Sequence, residues 1–122
     1  MSTNTYKSLD LTNKSLIVTG GGSGIGRDSA QLFAERGASV MIADIHEQKA
    51  KETAEKIKSD GGRAEYLRTD VSIEEHVEAL VRTTVERFGG LHGAFNNAGV
   101  GPQSSLHETS AEDWHRTIDG NL

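Results

Sequence analysis

The residues best placed to do chemistry in this 122-residue sequence are main-chain groups exposed by glycines. Thr19-Gly20-Gly21-Gly22-Ser23-Gly24-Ile25-Gly26 follows an apolar run, Leu16-Ile17-Val18, and precedes a helical pattern. Glycine takes φ > 0 without a Cβ clash, so the chain can turn tightly there. The same absence of side chains lets an anion lie against the backbone, where the unpaired N–H groups and positive dipole end of a starting helix meet it. Strand, glycine turn and helix in that order are the context of a dinucleotide-binding turn, with Gly20, Ser23, Gly24, Ile25 and Gly26 as candidates to hold the diphosphate. The spacing is Thr-Gly-x-x-x-Gly-x-Gly rather than G-x-G-x-x-G. Counted from Gly24, the third glycine of that form would fall on Ser29. The alternative reading of these glycines is a flexible loop between strand and helix.

Three later places carry polar groups at the ends of apolar runs. Asp44 closes Ser39-Val40-Met41-Ile42-Ala43. A carboxylate at the end of a second strand can accept hydrogen bonds from both ribose hydroxyls of an adenosine, and it repels a 2′-phosphate. Its alternative role is to cap the helix that follows. Asp70-Val71 sets an acceptor side chain beside a main-chain donor, a pairing that suits an exocyclic amine next to a ring nitrogen. An Asp at a strand–helix turn is the competing reading. Asn96-Asn97-Ala98-Gly99 ends a fourth apolar segment. Its small residues let a ligand approach the backbone, and its amides can satisfy strand-end groups that lack a ladder partner.

The elements that must position these groups follow from the pattern of apolar residues. Strands are expected at Ser15–Thr19, Ser39–Ala43, Arg63–Arg68 and Leu91–Phe95. The first expected helix is Gly24–Arg36, with Ile25, Leu32 and Phe33 on one face and Gly37 at its end. The second, His46–Ser59, is charged, with a narrow stripe of Ala50, Ala54 and Ile57. Glu47–Lys51 and Glu52–Lys56 have ion-pair spacing on its solvated side. A third helix opens at Ser72, which has capping-box spacing with Glu75. It buries Ile73, Val77, Leu80, Val81, Thr84 and Phe88 and stops at Gly89-Gly90. After a loop over Val100–Thr109, a fourth helix starts near Ala111 and carries Trp114 and Ile118. The alternation predicts an α/β fold, a doubly wound parallel sheet with helices on both faces. Residues 1–13 read as a polar lead-in.

Composition narrows the function. The chain holds 13 Lys+Arg against 18 Asp+Glu, a net charge of −5, which argues against nonspecific nucleic-acid binding. With no cysteine there is no disulfide framework, thiolate metal site or Cys nucleophile. No run reaches the apolar length of a membrane span, and the first 13 residues lack a signal-peptide core, so a cytoplasmic protein is expected. His46, His76, His92, His107 and His115 lack metal-ligand spacing and read as solvated or capping groups.

Together, Thr19–Gly26, Asp44, Asp70-Val71, Asn96–Gly99 and Asn121 resemble the short-chain dehydrogenase/reductase family over essentially the whole chain. The resemblance implies a Rossmann-like sheet of order 3-2-1-4 and a nicotinamide cofactor. It places adenine at Asp70-Val71, the nicotinamide-side ribose near Asn97, Ala98 and Gly99, and Asn121 in the catalytic group. NADP-preferring members often carry a basic residue at the position of Ser23. No Lys or Arg occurs within Gly20–Gly26, so with Asp44 the expectation is NAD. The family's Tyr-x-x-x-Lys pair has no counterpart: four residues after Tyr6 and Tyr66 stand Asp10 and Asp70. The chain therefore reads as one NAD-binding domain, 1–122, cut before the catalytic half of an alcohol/ketone oxidoreductase and inactive alone. The parent enzyme is expected to be a homodimer or homotetramer. Alone, the chain is expected to be poorly soluble or partly folded unless it dimerises, because its fourth strand lacks a neighbour. The alternative is a non-catalytic nucleotide-binding or interaction module, complete as written.

Overall fold

Apolar side chains on successive residues suit a strand covered on both faces. In the computed structural model, which describes residues 10–97, Ser15–Thr19 forms such a strand, β1, with Ile17 and Val18 fully buried. It is followed by α1 (Gly24–Glu35), β2 (Ser39–Asp44), α2 (Glu47–Ser59), β3 (Arg63–Arg68), α3 (Glu74–Phe88) and β4 (Gly93–Asn96). The four strands are parallel, in the order β3-β2-β1-β4. Val18 pairs with Ile42 on one side and with Phe95 on the other, so β1 is central.

Alternate residues of each strand feed two cores. On one face Val18, Val40, Ile42 and Ala64 meet Ala30 of α1 and Ala50, Ala54 and Ile57 of α2. The alanines let both helices lie close to the sheet. On the other face Ile17, Met41, Ala43 and Ala94 meet Leu80 of α3, with Val77, Val81 and Val85 packed around them. Burying side chains such as Ile17, Met41 or Leu80 contributes roughly 1.5–3 kcal/mol each. Helices on both faces make the fold the doubly wound, Rossmann-like α/β sheet that the sequence implied.

Several boundaries differ from expectation, each for a local reason. α1 ends at Glu35, and Gly37 takes φ 102 as its N–H reaches Ala34 O. Ile25 does not join a buried face; it is 69% exposed, and Gly26 and Ala30 are buried instead. α2 begins at Glu47 with His46 as its N-cap. Its ion pair is Lys56–Asp60 at 3.3 Å; neither expected pair forms among the described residues. The expected capping box also fails: Ile73, not Ser72, occupies the N-cap of α3, and no side chain caps it. Ser72 is already committed, since its N–H and hydroxyl both donate to Asp70 Oδ1 at 3.0 and 2.6 Å. β4 starts two residues late. His92 stands outside it, yet joins Ser15 by donating its N–H to Ser15 O and accepting Ser15 N–H on Nδ1. The lead-in up to residue 9, the loop at 100–109 and the helix carrying Trp114 lie outside the described residues. No helix among the described residues is long and apolar enough to cross a membrane.

Candidate functional site

All four strands end on the same side, and the chain order reverses between β1 and β4. A crevice at that switch point is where parallel α/β sheets bind ligands. A cleft of about 480 Å³ lies there, lined by Gly20 and Ser23 of the first turn, Asp44 at the end of β2 and His46 after it, Asp70 and Val71 after β3, and Asn97 after β4. Six of the candidate residues named from sequence therefore share one cavity: Gly20, Ser23, Asp44, Asp70, Val71 and Asn97. Gly24, Ile25 and Gly26 form the adjoining start of α1. Ala98, Gly99 and Asn121 lie outside the described residues.

The glycine turn is built by two constraints. Gly20 and Gly24 take φ of 66 and 58, a region that side chains strain. Gly26 is fixed by space: a Cβ on it would sit 2.0 Å from Gly20 O and 2.9 Å from Asn97 Nδ2. The helix can thus be reached only by a turn that folds back on its own first residue. The first helical bond is Arg27 N–H to Ser23 O, so the N–H groups of Gly24, Ile25 and Gly26 precede the ladder. Ser23 does not cap them with its side chain, and no acidic residue stands in the first turn of α1. By contrast, Glu47 opens α2, and Glu74 and Glu75 open α3. The positive end of α1 is left for an external anion.

Asp44 performs both of its candidate tasks. Its Oδ1 accepts His46 N–H at 2.9 Å, which turns the chain into α2. Its Oδ2 accepts Gly22 N–H at 2.9 Å and ties the glycine turn to β2. The residue is 9% exposed and lines the cleft. Each carboxylate oxygen has a further lone pair, so two hydroxyls can still bind. At Asp70 the competing reading is likewise realised without removing the first. The Ser72 hydroxyl, then the Ser72 N–H, hold the Asp70 carboxyl below its ordinary value. Both donate to Oδ1, so among the described residues Oδ2 is left for a ligand.

The fourth strand is joined to the turn through Thr19. Its buried hydroxyl donates to Asn96 Oδ1 at 2.8 Å and accepts Asn97 N–H at 3.0 Å. Asn97 N–H also reaches Thr19 O at 3.2 Å. The sequence placed Thr19 only as the first letter of a motif. Ile45, His46 and Thr69 were missed as lining residues; the first two could have been found as the immediate successors of Asp44.

A family model described as short chain dehydrogenase matches residues 14–122. The chain belongs to that family. This short-chain dehydrogenase chain is 46% identical over 114 residues to an uncharacterized oxidoreductase of Thermotoga maritima, covering 93% of the chain and 45% of the relative. It is 45% identical over 115 residues to the 2,5-dichloro-2,5-cyclohexadiene-1,4-diol dehydrogenase of Sphingobium indicum, covering 93% and 44%. Among solved structures, a 7α-hydroxysteroid dehydrogenase complexed with NADH and 7-oxo glycochenodeoxycholic acid superposes with a TM-score of 0.73 at 36% identity, covering 75% of this chain and 36% of that one. The short-chain dehydrogenase chain thus spans less than half the length of these relatives.

Proposed function

We propose that residues 1–122 form the NAD-binding domain of a cytoplasmic short-chain dehydrogenase that interconverts an alcohol and a ketone. In this reading Gly20–Gly26 hold the diphosphate, Asp44 the adenosine ribose, and Asp70-Val71 the adenine. Asn97, Ala98 and Gly99 hold the nicotinamide half, and Asn121 belongs to the catalytic group. When bound, the nicotinamide supplies or accepts the hydride; the protein supplies orientation and electrostatics. The acid–base residues are assigned to a portion of the parent enzyme beyond Leu122, and the parent to a homo-oligomer.

The observation that carries the reading is the pairing of an uncapped helix start with Asp44 in one cleft. The two sites differ in sign: N–H groups for the diphosphate, a carboxylate for neutral hydroxyls. No Lys or Arg lines that cleft among the described residues. A 2′-phosphate would meet Asp44 without a compensating cation, which favours NAD over NADP. The test is fluorescence titration of NADH and NADPH into the protein and into Asp44→Ala. NADH should bind more tightly than NADPH, and the substitution should weaken NADH about 10- to 100-fold, as expected for lost hydrogen bonds to a charged group. Tighter NADPH binding, or an unchanged NADH affinity in Asp44→Ala, would remove the assignment.

A further inference from the structure

The turn between β3 and α3 is closed by a side chain that the cofactor site does not itself use. Asp70 N–H lies past the end of the β3 ladder and needs an acceptor. It finds one in His76 Nδ1, at 3.0 Å, from the first turn of α3. The remaining N–H groups of the turn are used in order: Ser72 N–H on Asp70 Oδ1, Ile73 N–H on Asp70 O, and His76 N–H on Ile73 O. Val71 N–H, like the Glu74 and Glu75 N–H groups at the start of α3, is not used in these bonds, and of the three only Val71 lines the cleft. The four bonds therefore fix two groups for a ligand, the Asp70 carboxylate and the Val71 N–H.

We infer that His76 is a positioning residue for cofactor binding, holding the Asp70-Val71 edge of the cleft through the Asp70 main chain, and that it does so only as the neutral imidazole. The inference rests on the assignment of adenine to Asp70-Val71 above. An imidazole accepts at Nδ1 only with its proton on Nε2. Protonation turns Nδ1 into a donor that faces another donor, so the bond to Asp70 N–H is lost. The imidazolium then attracts the Asp70 carboxylate in competition with the adenine amine. Both effects weaken binding once the ring is protonated. Of the charged groups at the β3 end, the imidazole and the Arg68 guanidinium both act on the Asp70 carboxylate. On α3 the neighbours one turn away are Ile73, Ala79 and Leu80; Glu75 is adjacent in sequence but points elsewhere on the helix. β1 and β2, beneath α3, present Ile17, Met41 and Ala43. Asp70 itself stays ionised, because the Ser72 hydroxyl and N–H hold its carboxyl below the ordinary carboxylate value.

The test compares NADH affinity of the full-length protein, His76→Gln and His76→Leu between about pH 5.5 and pH 8, a window that spans imidazole titration. Gln offers an uncharged amide oxygen as acceptor; Leu offers none. His76→Gln should bind like the parent at the upper pH and lose part of the fall at the lower one. His76→Leu should bind about tenfold more weakly throughout, as for one lost hydrogen bond at a binding edge. His46 also lines the cleft, so the His76 contribution is the difference between parent and Gln variant. A Gln variant that keeps the full pH profile, or a Leu variant that binds like the parent at pH 8, overturns the inference. Hydrogen exchange at residues 70–73, without nucleotide and at one pH, separates its failure from that of the cofactor reading. Protection should survive in Gln and drop in Leu. If no form binds NADH, the adenine assignment falls, and equal protection in all three forms removes the His76–Asp70 coupling as well.

Discussion

At the scale of single residues, two glycines of one turn should respond very differently to the same change. A Cβ on Gly26 would overlap Gly20 O at 2.0 Å, and that partner is main chain, so it cannot swing aside as a side chain would. Gly26→Ala should therefore cost several kcal/mol, at or beyond the upper end of the overpacking range of roughly 1–3 kcal/mol. Gly24 has φ 58 but open space within 4 Å of a built Cβ. Gly24→Ala should cost only the left-handed penalty of about 1–2 kcal/mol. Thermal melts of both variants check the contrast; equal losses would mean that the turn relaxes freely. Thr19→Val tests the link to β4. It removes a buried hydroxyl that both donates and accepts, and about 1–3 kcal/mol should be lost. Much of this scale was legible in the sequence, because glycine spacing and a strand-end carboxylate are local signals. Thr19 and His76 were not, because their partners stand 77 and 6 residues away and only folding brings them together.

At the scale of elements, the sequence reading succeeded where one preference acted alone. β1, β3 and the C-terminal glycine of α3 fall where expected, since an apolar run or a left-handed Gly89 at φ 84 has no competitor. It failed where one side chain had two possible partners. Ser72 has the spacing to cap α3 but lies one residue closer in sequence to Asp70 than to Glu75, and the Asp70 carboxylate wins as the charged acceptor. The distinction is measurable. Were Ser72 an N-cap, Ser72→Ala would cost about 1 kcal/mol of helix stability. In this fold it should instead move the Asp70 pKa up toward 3.8, since the hydroxyl is the leading cause of the lowered value. The sign follows: a lowered carboxyl contributes stability above its unfolded pKa and loses it as pH falls through the folded one. Asp70 is half-buried at the cleft wall and screened by solvent, so the change should show in a carboxyl titration by NMR with little movement of the melting temperature. A lower melting temperature with an unmoved Asp70 pKa would restore Ser72 as a cap. The late start of β4 has a similar origin, because the His92 ring accepts Ser15 N–H in place of a strand carbonyl.

At the scale of the molecule, the sheet joins two cores that share no side chains. Ala30, Ala50, Ala54 and Ile57 pack one face, while Leu80 and its neighbours pack the other. What spans both is the row of strand ends, where Asp44 binds Gly22, Thr69 N–H binds Asp44 O, and Thr19 binds Asn97. A ligand that contacts the first turn, Asp44 and Asp70 together clamps β1, β2 and β3 at once. It can do so only if folding has already aligned them, so the unfolded chain has no matching site. Binding must then stabilise the whole sheet by mass action, by about 2.7 kcal/mol at a ligand concentration one hundred times Kd. NADH should raise the melting temperature in proportion to the logarithm of its concentration, and NADPH at equal concentration should raise it less. Leu80→Ala, on the face of α3, should lower the baseline by roughly 2–5 kcal/mol without changing the order of the two nucleotides. Asp44→Ala should also lower the unliganded melting temperature, because it strips the Gly22 and His46 N–H groups of their acceptor, but unlike Leu80→Ala it should narrow the gap between NADH and NADPH. A Leu80→Ala protein that reversed the nucleotide preference would show that α3 shapes the cleft directly, and the separation of packing from recognition drawn from these strand ends would fail.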